Sequence, residues 1–174
     1  MKRFLFLILI VSFNISASDE GIQQWVYNTL ERAQANLDKG NIEAAEKIYY
    51  DYANDTWSSR SYDHFVFLRT YAYFLLSYDR NEEALRYLKQ ASLKRDMPPY
   101  DIFELHFTLG QVYYVTGDRE NAKKTLLKWV EIGEKNKLDL KPEGYAILAT
   151  IYAQDEEWGN ALKFITLAID NSYR

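Results

Sequence analysis

Two histidines are the residues of this sequence best suited to acid–base or metal chemistry at neutral pH. A zinc site needs several nitrogen, sulfur or oxygen ligands at short spacings, and His64 and His106 lie neither in an HExxH motif nor near a suitable ligand set. His106 falls at a position of the repeat described below that usually packs between helices. His64 falls in the first turn of a predicted helix, where we expect it at the surface. The sequence therefore predicts no metal site and no cofactor.

The residues for other catalytic chemistry are also missing from the sequence. There is no cysteine, which excludes disulfides, thiolate nucleophiles and a lipoprotein anchor. The glycines are isolated, so there is no phosphate-binding loop, and no GxSxG motif occurs. Acidic pairs at 82–83 and 156–157 fall in predicted hairpin turns, where the helix dipole favours negative charge, so we interpret them as solvated charges. We predict no catalytic residues and no enzymatic activity; an enzyme is the alternative that a bound small molecule or metal would support.

Length and composition fit one domain that binds no nucleic acid. The chain has 174 residues, of which 48% are apolar, enough for one continuous core. Only 7 glycines and 3 prolines occur, which disfavours an all-β fold with many turns. The net charge is −4 and the sequence contains no basic cluster, whereas phosphate binding needs a clustered basic surface.

The first 18 residues, MKRFLFLILIVSFNISAS, have the layout of a secretory signal peptide. Lys2 and Arg3 precede an apolar run at 4–13, and small residues follow, so that cleavage after Ala17 or Ser18 fits. A short membrane anchor is the alternative, although the run is far below the about 20 residues that span a bilayer. No later segment is apolar enough to span. We therefore predict export, which in a bacterium leads to the periplasm.

Four segments of the remaining sequence align at intervals of 39, 38 and 39 residues. One alanine holds the same place in each: Ala45, Ala84, Ala122 and Ala161. A second set of small residues lies twelve positions earlier: Ala33, Ala72, Gly110 and Ala149. Small residues on both helices of a hairpin let the two backbones approach closely. Because a single hairpin cannot bury its apolar face, neighbouring hairpins must stack into a solenoid.

The stretch LGQVY at 109–113, followed by Ala122 and Leu126, resembles the tetratricopeptide (TPR) consensus L-G-x2-Y … A-x3-F. Repeat one is degenerate, since Arg32 and Asn36 hold places of apolar residues, which fits a capping role. The resemblance implies an all-α fold, a right-handed superhelical solenoid of about four TPR-type helix–turn–helix repeats. The period exceeds the usual length of about 34 residues, and we assign the surplus to the links between repeats.

We predict a signal peptide at 1–18 and a TPR domain at 19–174. Its repeats are expected at about 22–54, 61–94, 99–133 and 142–171. Its helices are expected at 22–38, 41–54, 61–78, 81–94, 99–116, 119–133, 142–154 and 158–171.

A narrower resemblance is carried by LHFTLGQVYYVTGDRENAKKTLLKWVEI, by the Ser-rich link after the first hairpin and by Trp129. These features resemble periplasmic TPR proteins associated with bacterial TonB systems. The resemblance implies an accessory role beside TonB, ExbB and ExbD, which energise transport across the outer membrane. A general exported scaffold in envelope assembly or secretion is the alternative. In both cases the partners are other proteins or peptides.

Places five, nine and twelve of the first helix of each repeat share one face, because they are four and three residues apart. We predict a protein-binding groove lined by Arg69, Tyr73, Leu76, Phe107, Gln111, Tyr114 and Thr150. The same places in repeats one and four add Leu30, Gln34, Leu37, Ala146 and Ala153. This aromatic, weakly polar lining favours docking of a peptide or helix through apolar anchors. The alternative is that Tyr73, Phe107 and Tyr114 pack under neighbouring side chains.

The last predicted helix carries an apolar stripe of Leu162, Ile165, Ile169 and Tyr173. An exposed stripe of this kind tends to find a partner. We therefore expect self-association through repeat four or a partner docked there, and the alternative is that the stripe is used fully within its own hairpin.

Overall fold

The computed structural model of the protein describes residues 22–55 and 61–172. Within these residues the chain forms eight α-helices and no strand, and consecutive helices pair into four hairpins that each contact the next. The helices are α1 (Gln24–Asp38), α2 (Ile42–Asn54), α3 (Ser61–Ser77), α4 (Asn81–Ser92), α5 (Pro99–Val115), α6 (Arg119–Asn136), α7 (Pro142–Gln154) and α8 (Trp158–Ser172). The predicted all-α solenoid of four hairpins is thereby confirmed. The predicted signal peptide lies outside the described residues.

Local sequence signals set most of the helix bounds. Pro99 and Pro142 are the first residues of α5 and α7, where the missing N–H of proline costs no hydrogen bond. The Asp118 carboxylate caps α6 by accepting a hydrogen bond of 3.1 Å from the backbone N–H of Asn121. The predicted bounds agree with the observed ones within two residues except at the end of α6.

Helix α6 continues to Asn136, three residues past its predicted end at 133. Gly133 is buried inside the helix, where it faces Phe103 and Leu140. The residue after the helix, Lys137, has a left-handed backbone (φ 54°), and the N–H of Leu138 donates back to the Gly133 carbonyl at 2.9 Å. Gly133, at the predicted end of the helix, therefore lies inside α6 and allows Phe103 and Leu140 to approach the backbone closely.

The four hairpin turns share one backbone geometry. Each contains one residue with positive φ, at Gly40, Asp79, Gly117 and Glu156. The following residue closes the turn by donating its N–H to the carbonyl five residues back, as from Asn41 to Asn36 at 2.8 Å. Only two of the four turn residues are glycine, so the other two turns hold an unfavourable backbone conformation to keep the geometry.

The long repeat period comes from the helices as well as from the links. Links at 93–98 and 137–141 join the hairpins, while each turn within a hairpin takes three residues. Helices α3 and α5 have 17 residues each and α6 has 18. A repeat of about 34 residues with two short turns leaves only about 14 residues per helix. The prediction that the links hold the whole surplus was therefore wrong.

The core forms where the predicted small residues bring the helices together. Ala45, Ala84 and Ala122 have no exposed surface. A Cβ atom on Gly110 would lie 2.6 Å from Cγ of Leu126, so any larger residue where α5 crosses α6 would have to displace the Leu126 side chain. Large side chains fill the space between hairpins, as the predicted stacking requires.

Among the described residues, Trp129 is the largest fully buried side chain, and it joins repeats three and four. Its indole ring lies 5.2 Å from the ring of Phe107 in its own hairpin and 5.6 Å from the ring of Tyr145 in the next, measured between centroids. Gly144 also faces this indole, since a Cβ there would lie 2.5 Å from it. Trp129 therefore packs against both repeats and is part of the core between them.

Candidate functional site

The predicted groove residues lie on helices α3, α5 and α7, and we call this surface the helix-A face. Of these seven residues, five are half-buried, Phe107 is buried and Thr150 is exposed. The Thr150 hydroxyl donates a hydrogen bond of 2.9 Å to the Ala146 carbonyl. The half-buried residues are Arg69, Tyr73, Leu76, Gln111 and Tyr114. The corresponding residues of repeat one are a buried Leu30, an exposed Gln34 and a half-buried Leu37.

Phe107 supports the face from below. Its side chain is 4% exposed, packs against Trp129 and lies under the ammonium group of Lys141, whose Nζ is 4.6 Å from the ring centroid. A ring in this position does not anchor a partner. For Phe107 the structure therefore favours the packing alternative over the predicted binding role.

Arg69 forms an ion pair with Asp101 across the junction of repeats two and three. The Tyr62 hydroxyl donates to the second oxygen of the same carboxylate at 2.9 Å, and the Arg69 guanidinium lies 5.1 Å from the Phe65 ring centroid. Burial, together with the hydrogen bond to Asp101, raises the pKa of Tyr62 to about 12, so the phenol stays a donor. Arg69 is thus engaged within the chain and does not offer a free cation to a partner.

Two further polar contacts continue along the same junctions. The Tyr73 hydroxyl lies 3.4 Å from the Thr108 hydroxyl, and burial raises the pKa of Tyr73. Between repeats three and four, Lys141 pairs with Glu104 at 2.8 Å. The polar groups beside the helix-A face are therefore paired with each other between neighbouring hairpins.

Asp101, the acidic partner of Arg69, was not among the predicted site residues, although the sequence carried a signal for it. The dipeptide Tyr-Asp occurs at 62–63 and again at 100–101, at the repeat interval. Asp63 is fully buried and accepts a hydrogen bond of 3.3 Å from the backbone N–H of Gln23, in the preceding repeat. Asp101 also contacts the preceding repeat, but through an ion pair with the side chain of Arg69. The repeated aspartate therefore ties each of these two repeats to the one before it.

His64 is half-buried, whereas we predicted it at the surface. Its Nε2 lies 3.0 Å from the Ala53 carbonyl and its Nδ1 lies 2.8 Å from Nζ of Lys94. Partial burial also lowers the pKa of Lys94. His64 therefore connects α3 with the end of α2 and with the segment that follows α4. Among the described residues, no cluster of three or more potential ligands is arranged to hold a metal ion.

His106 is half-buried on α5, and its Nδ1–H donates to the Ile102 carbonyl at 2.8 Å. Burial lowers its pKa; the hydrogen bond opposes this shift in part, and the charge of Lys128 adds to it. The folded state therefore binds a proton less tightly than the unfolded state. Between the two pKa values the unfolded chain holds more protons, so stability falls as the pH drops below the ordinary histidine pKa of about 6.5.

We expect His106→Asn to reduce the acid sensitivity of the protein. Asparagine keeps the hydrogen bond to the carbonyl four residues back, as Asn36 and Asn54 do in this chain, but it does not titrate. Urea unfolding at about pH 7.5 and about pH 5.5 should show a smaller loss of unfolding free energy in the variant than in the wild type. Equal losses in the two proteins would show that His106 does not contribute to the acid sensitivity.

No helix of the described residues is long and apolar enough to cross a membrane. No protein-family model matches the sequence, and no curated protein matches it.

Solved structures do resemble the chain. A crystal structure of MamA superposes with a TM-score of 0.64 at 17% identity, covering 85% of this chain and 78% of that one. A kinesin light chain with nearly identical TPR-like repeats from Podosopora anserina superposes with a TM-score of 0.58 at 18% identity, covering 86% of this chain and 77% of that one. Identities this low show the fold alone, and neither structure bears on the resemblance to TonB-associated proteins. The chain has the fold of a TPR-like helical-repeat solenoid.

Proposed function

We propose that this protein is a scaffold that binds other proteins through the helix-A face. The observation that carries the proposal is the state of that surface. Its charged groups are already paired, Arg69 with Asp101 and Lys141 with Glu104. The predicted groove residues that are left accessible are apolar or uncharged, so recognition by them rests on apolar contact rather than on charge.

A helix or an extended peptide with apolar anchors fits this surface. Leu76 and Tyr114 are half-buried against the core and keep part of their apolar surface in solvent. Gln111 lies on α5, the helix between α3 and α7 in chain order. Its side-chain amide can both donate and accept hydrogen bonds. Half-buried anchors of this kind lose little conformational freedom when a partner covers them, which favours binding.

We expect the double change Gln111→Arg and Thr150→Arg to weaken partner capture at least about tenfold, because two bulky charges would enter an apolar contact. The matched control is Gln90→Arg with Ser92→Arg. These two residues are exposed on α4, away from the helix-A face, and the control adds the same charge. Capture from a periplasmic extract, quantified by mass spectrometry, gives the readout. Equal loss in both double variants, with helicity unchanged, would contradict the proposal.

We further propose that the scaffold acts in the periplasm as an accessory of a TonB-type transport system. The signal-peptide layout of residues 1–18 and the resemblance around Trp129 support this assignment. The mature protein from the periplasmic fraction should begin after Ala17 or Ser18. The wild-type protein should recover TonB, ExbB or ExbD from a periplasmic extract; recovery of assembly or secretion factors instead would support the general exported scaffold.

A further inference from the structure

A lysine and a histidine, both half-buried, face each other at the junction of repeats one and two. Nζ of Lys94 lies 2.8 Å from Nδ1 of His64, and Nε2 of His64 lies 3.0 Å from the Ala53 carbonyl oxygen. The three groups belong to the end of α2, the first turn of α3 and the segment after α4. We call the two side chains the Lys94–His64 pair.

The two contacts of His64 determine which ring nitrogen carries the proton. A carbonyl oxygen only accepts hydrogen bonds, so Nε2 carries the hydrogen and donates it to Ala53. The Lys94 nitrogen donates to Nδ1, which therefore presents an electron pair. A doubly protonated ring would set a second N–H against the Lys94 ammonium. The arrangement thus fits a neutral imidazole whose basic nitrogen faces the lysine.

Lys94 has a different kind of partner from the described lysines that form ion pairs. Those lysines, which each contact a carboxylate at 2.6 to 2.9 Å, are Lys47, Lys123, Lys128 and Lys141. A carboxylate favours the ammonium form, which has no free electron pair and is not a nucleophile. The partner of Lys94 is an imidazole instead, and partial burial lowers the pKa of Lys94. The free amine is therefore easier to form at Lys94 than at the ion-paired lysines.

The charged residues around the pair leave this effect in place. Asp55 lies just after α2 and Asp63 lies in the first turn of α3, and neither forms an ion pair with Lys94. Arg95 and Asp96, the next residues along the chain, are exposed. Burial is accordingly the cause of the lowered pKa of Lys94.

The backbone holds the segment that carries Lys94. Its N–H donates to the Ala91 carbonyl at 3.0 Å, and Met97, three residues later, is buried in the core. Anchors on both sides keep the amine beside His64. A nucleophile that is already in contact with an oriented base needs little rearrangement before it reacts.

We propose that Lys94 is the preferred acylation site of the described lysines and that His64 acts as its base. In a reaction with a small acyl donor R–CO–X, the electron pair of Nζ forms the new C–N bond. One proton of Nζ passes to Nδ1 of His64, and X leaves with the electron pair of the C–X bond. His64 then releases the proton to solvent, so the products are the amide R–CO–NH–Lys94 and HX.

The Ala53 carbonyl supports this step. It accepts the Nε2 hydrogen, which keeps Nδ1 directed at the lysine and stabilises the positive charge that the ring gains when it takes the proton. The proposal does not depend on the proposed function, since it needs no partner at the helix-A face. Failure of one therefore leaves the other standing.

Competitive labelling of the folded protein with a trace of acetic anhydride tests the proposal. The protein is then unfolded and labelled completely with an isotopic form of the reagent, so that mass spectrometry gives the relative rate at every lysine. We expect Lys94 to react at least about fivefold faster at about pH 7.5 than Lys89 and Lys124, because these have no base beside them. Both control lysines are exposed, on α4 and α6.

His64→Gln separates the role of the base from simple exposure. Glutamine has an amide that can donate to the Ala53 carbonyl, but it cannot take up a proton. The rate at Lys94 should fall at least about fivefold, a small part of what a positioned base contributes in an enzyme, while the rates at Lys89 and Lys124 stay unchanged.

The pH profile of the wild-type protein is a second measurement that needs no variant. The rate at Lys94 should level off at a lower pH than the rate at Lys89, because the pKa of Lys94 is lowered. If His64→Gln loses helicity, this profile and the wild-type rates decide. Equal rates at the three lysines, the same profile for Lys94 and Lys89, or an unchanged rate at Lys94 in a helical His64→Gln variant would overturn the proposal.

Discussion

Trp129→Ala should lower the free energy of unfolding by about 3 to 5 kcal/mol, the cost of deleting a large buried aromatic side chain. The indole is 0% exposed and packs against Phe103, Phe107 and Tyr145, so its removal leaves a cavity between repeats three and four. Urea unfolding followed by circular dichroism gives the measurement. Because hairpins of a solenoid hold only to their neighbours, repeat four should also unfold at lower urea than the rest.

Trp129→Phe is the matched control for this result. Phenylalanine refills most of the space, and it lacks the indole Nε1–H, which is buried with no hydrogen-bond partner among the described residues. Trp129→Phe should therefore lower the free energy of unfolding by less than half as much as Trp129→Ala. The packing that it loses is offset in part because an unsatisfied hydrogen-bond donor is removed. Similar costs for the two variants would show that a phenyl ring does not restore the packing and that the contact needs the whole indole ring.

Ala122→Trp should lower the free energy of unfolding by about 3 kcal/mol or more, which is at the upper end for overpacking. Ala122 has no exposed surface and lies in the core that repeats two and three share. A tryptophan there can be accommodated only by moving α5 away from α6. The same urea titration measures the loss.

Ala44→Trp is the control for this second result. Ala44 is exposed on α2, directly before the buried Ala45 that holds the place of Ala122 in repeat one. The same substitution should change the unfolding free energy there by less than about 0.5 kcal/mol. A small effect at Ala122, or an equal effect at the two sites, would mean that the repeat register is wrong.

The repeated small residues were enough to predict the hairpins. Ala45, Ala84 and Ala122 lie in the core as the alignment requires, and α7 has the predicted bounds 142–154. These features depend on interactions within a few residues along the chain, such as Pro142 at a helix start and glycine in a turn. Because each hairpin repeats the same local pattern, a single sequence shows the pattern four times.

The end of α6 shows where local signals stop being sufficient. The predicted end of α6 lies at residue 133, and yet the helix continues to Asn136, with Phe103 and Leu140 packed against Gly133. Phe103 is contributed by the other helix of the hairpin, thirty residues away. No pattern within α6 records that contact.

The accessibility of the helix-A face was likewise decided by tertiary structure. Periodicity places Arg69 and Phe107 on the same side of their helices. In the structure, however, Arg69 forms an ion pair with Asp101, and the Phe107 ring packs against Trp129. Both partners come from elsewhere in the chain, where their positions depend on how hairpins stack. Sequence by itself determined which helices form and which side chains share a face. Only the packed structure decided which of those side chains remain available, because burial and pairing arise from contacts between segments distant in sequence.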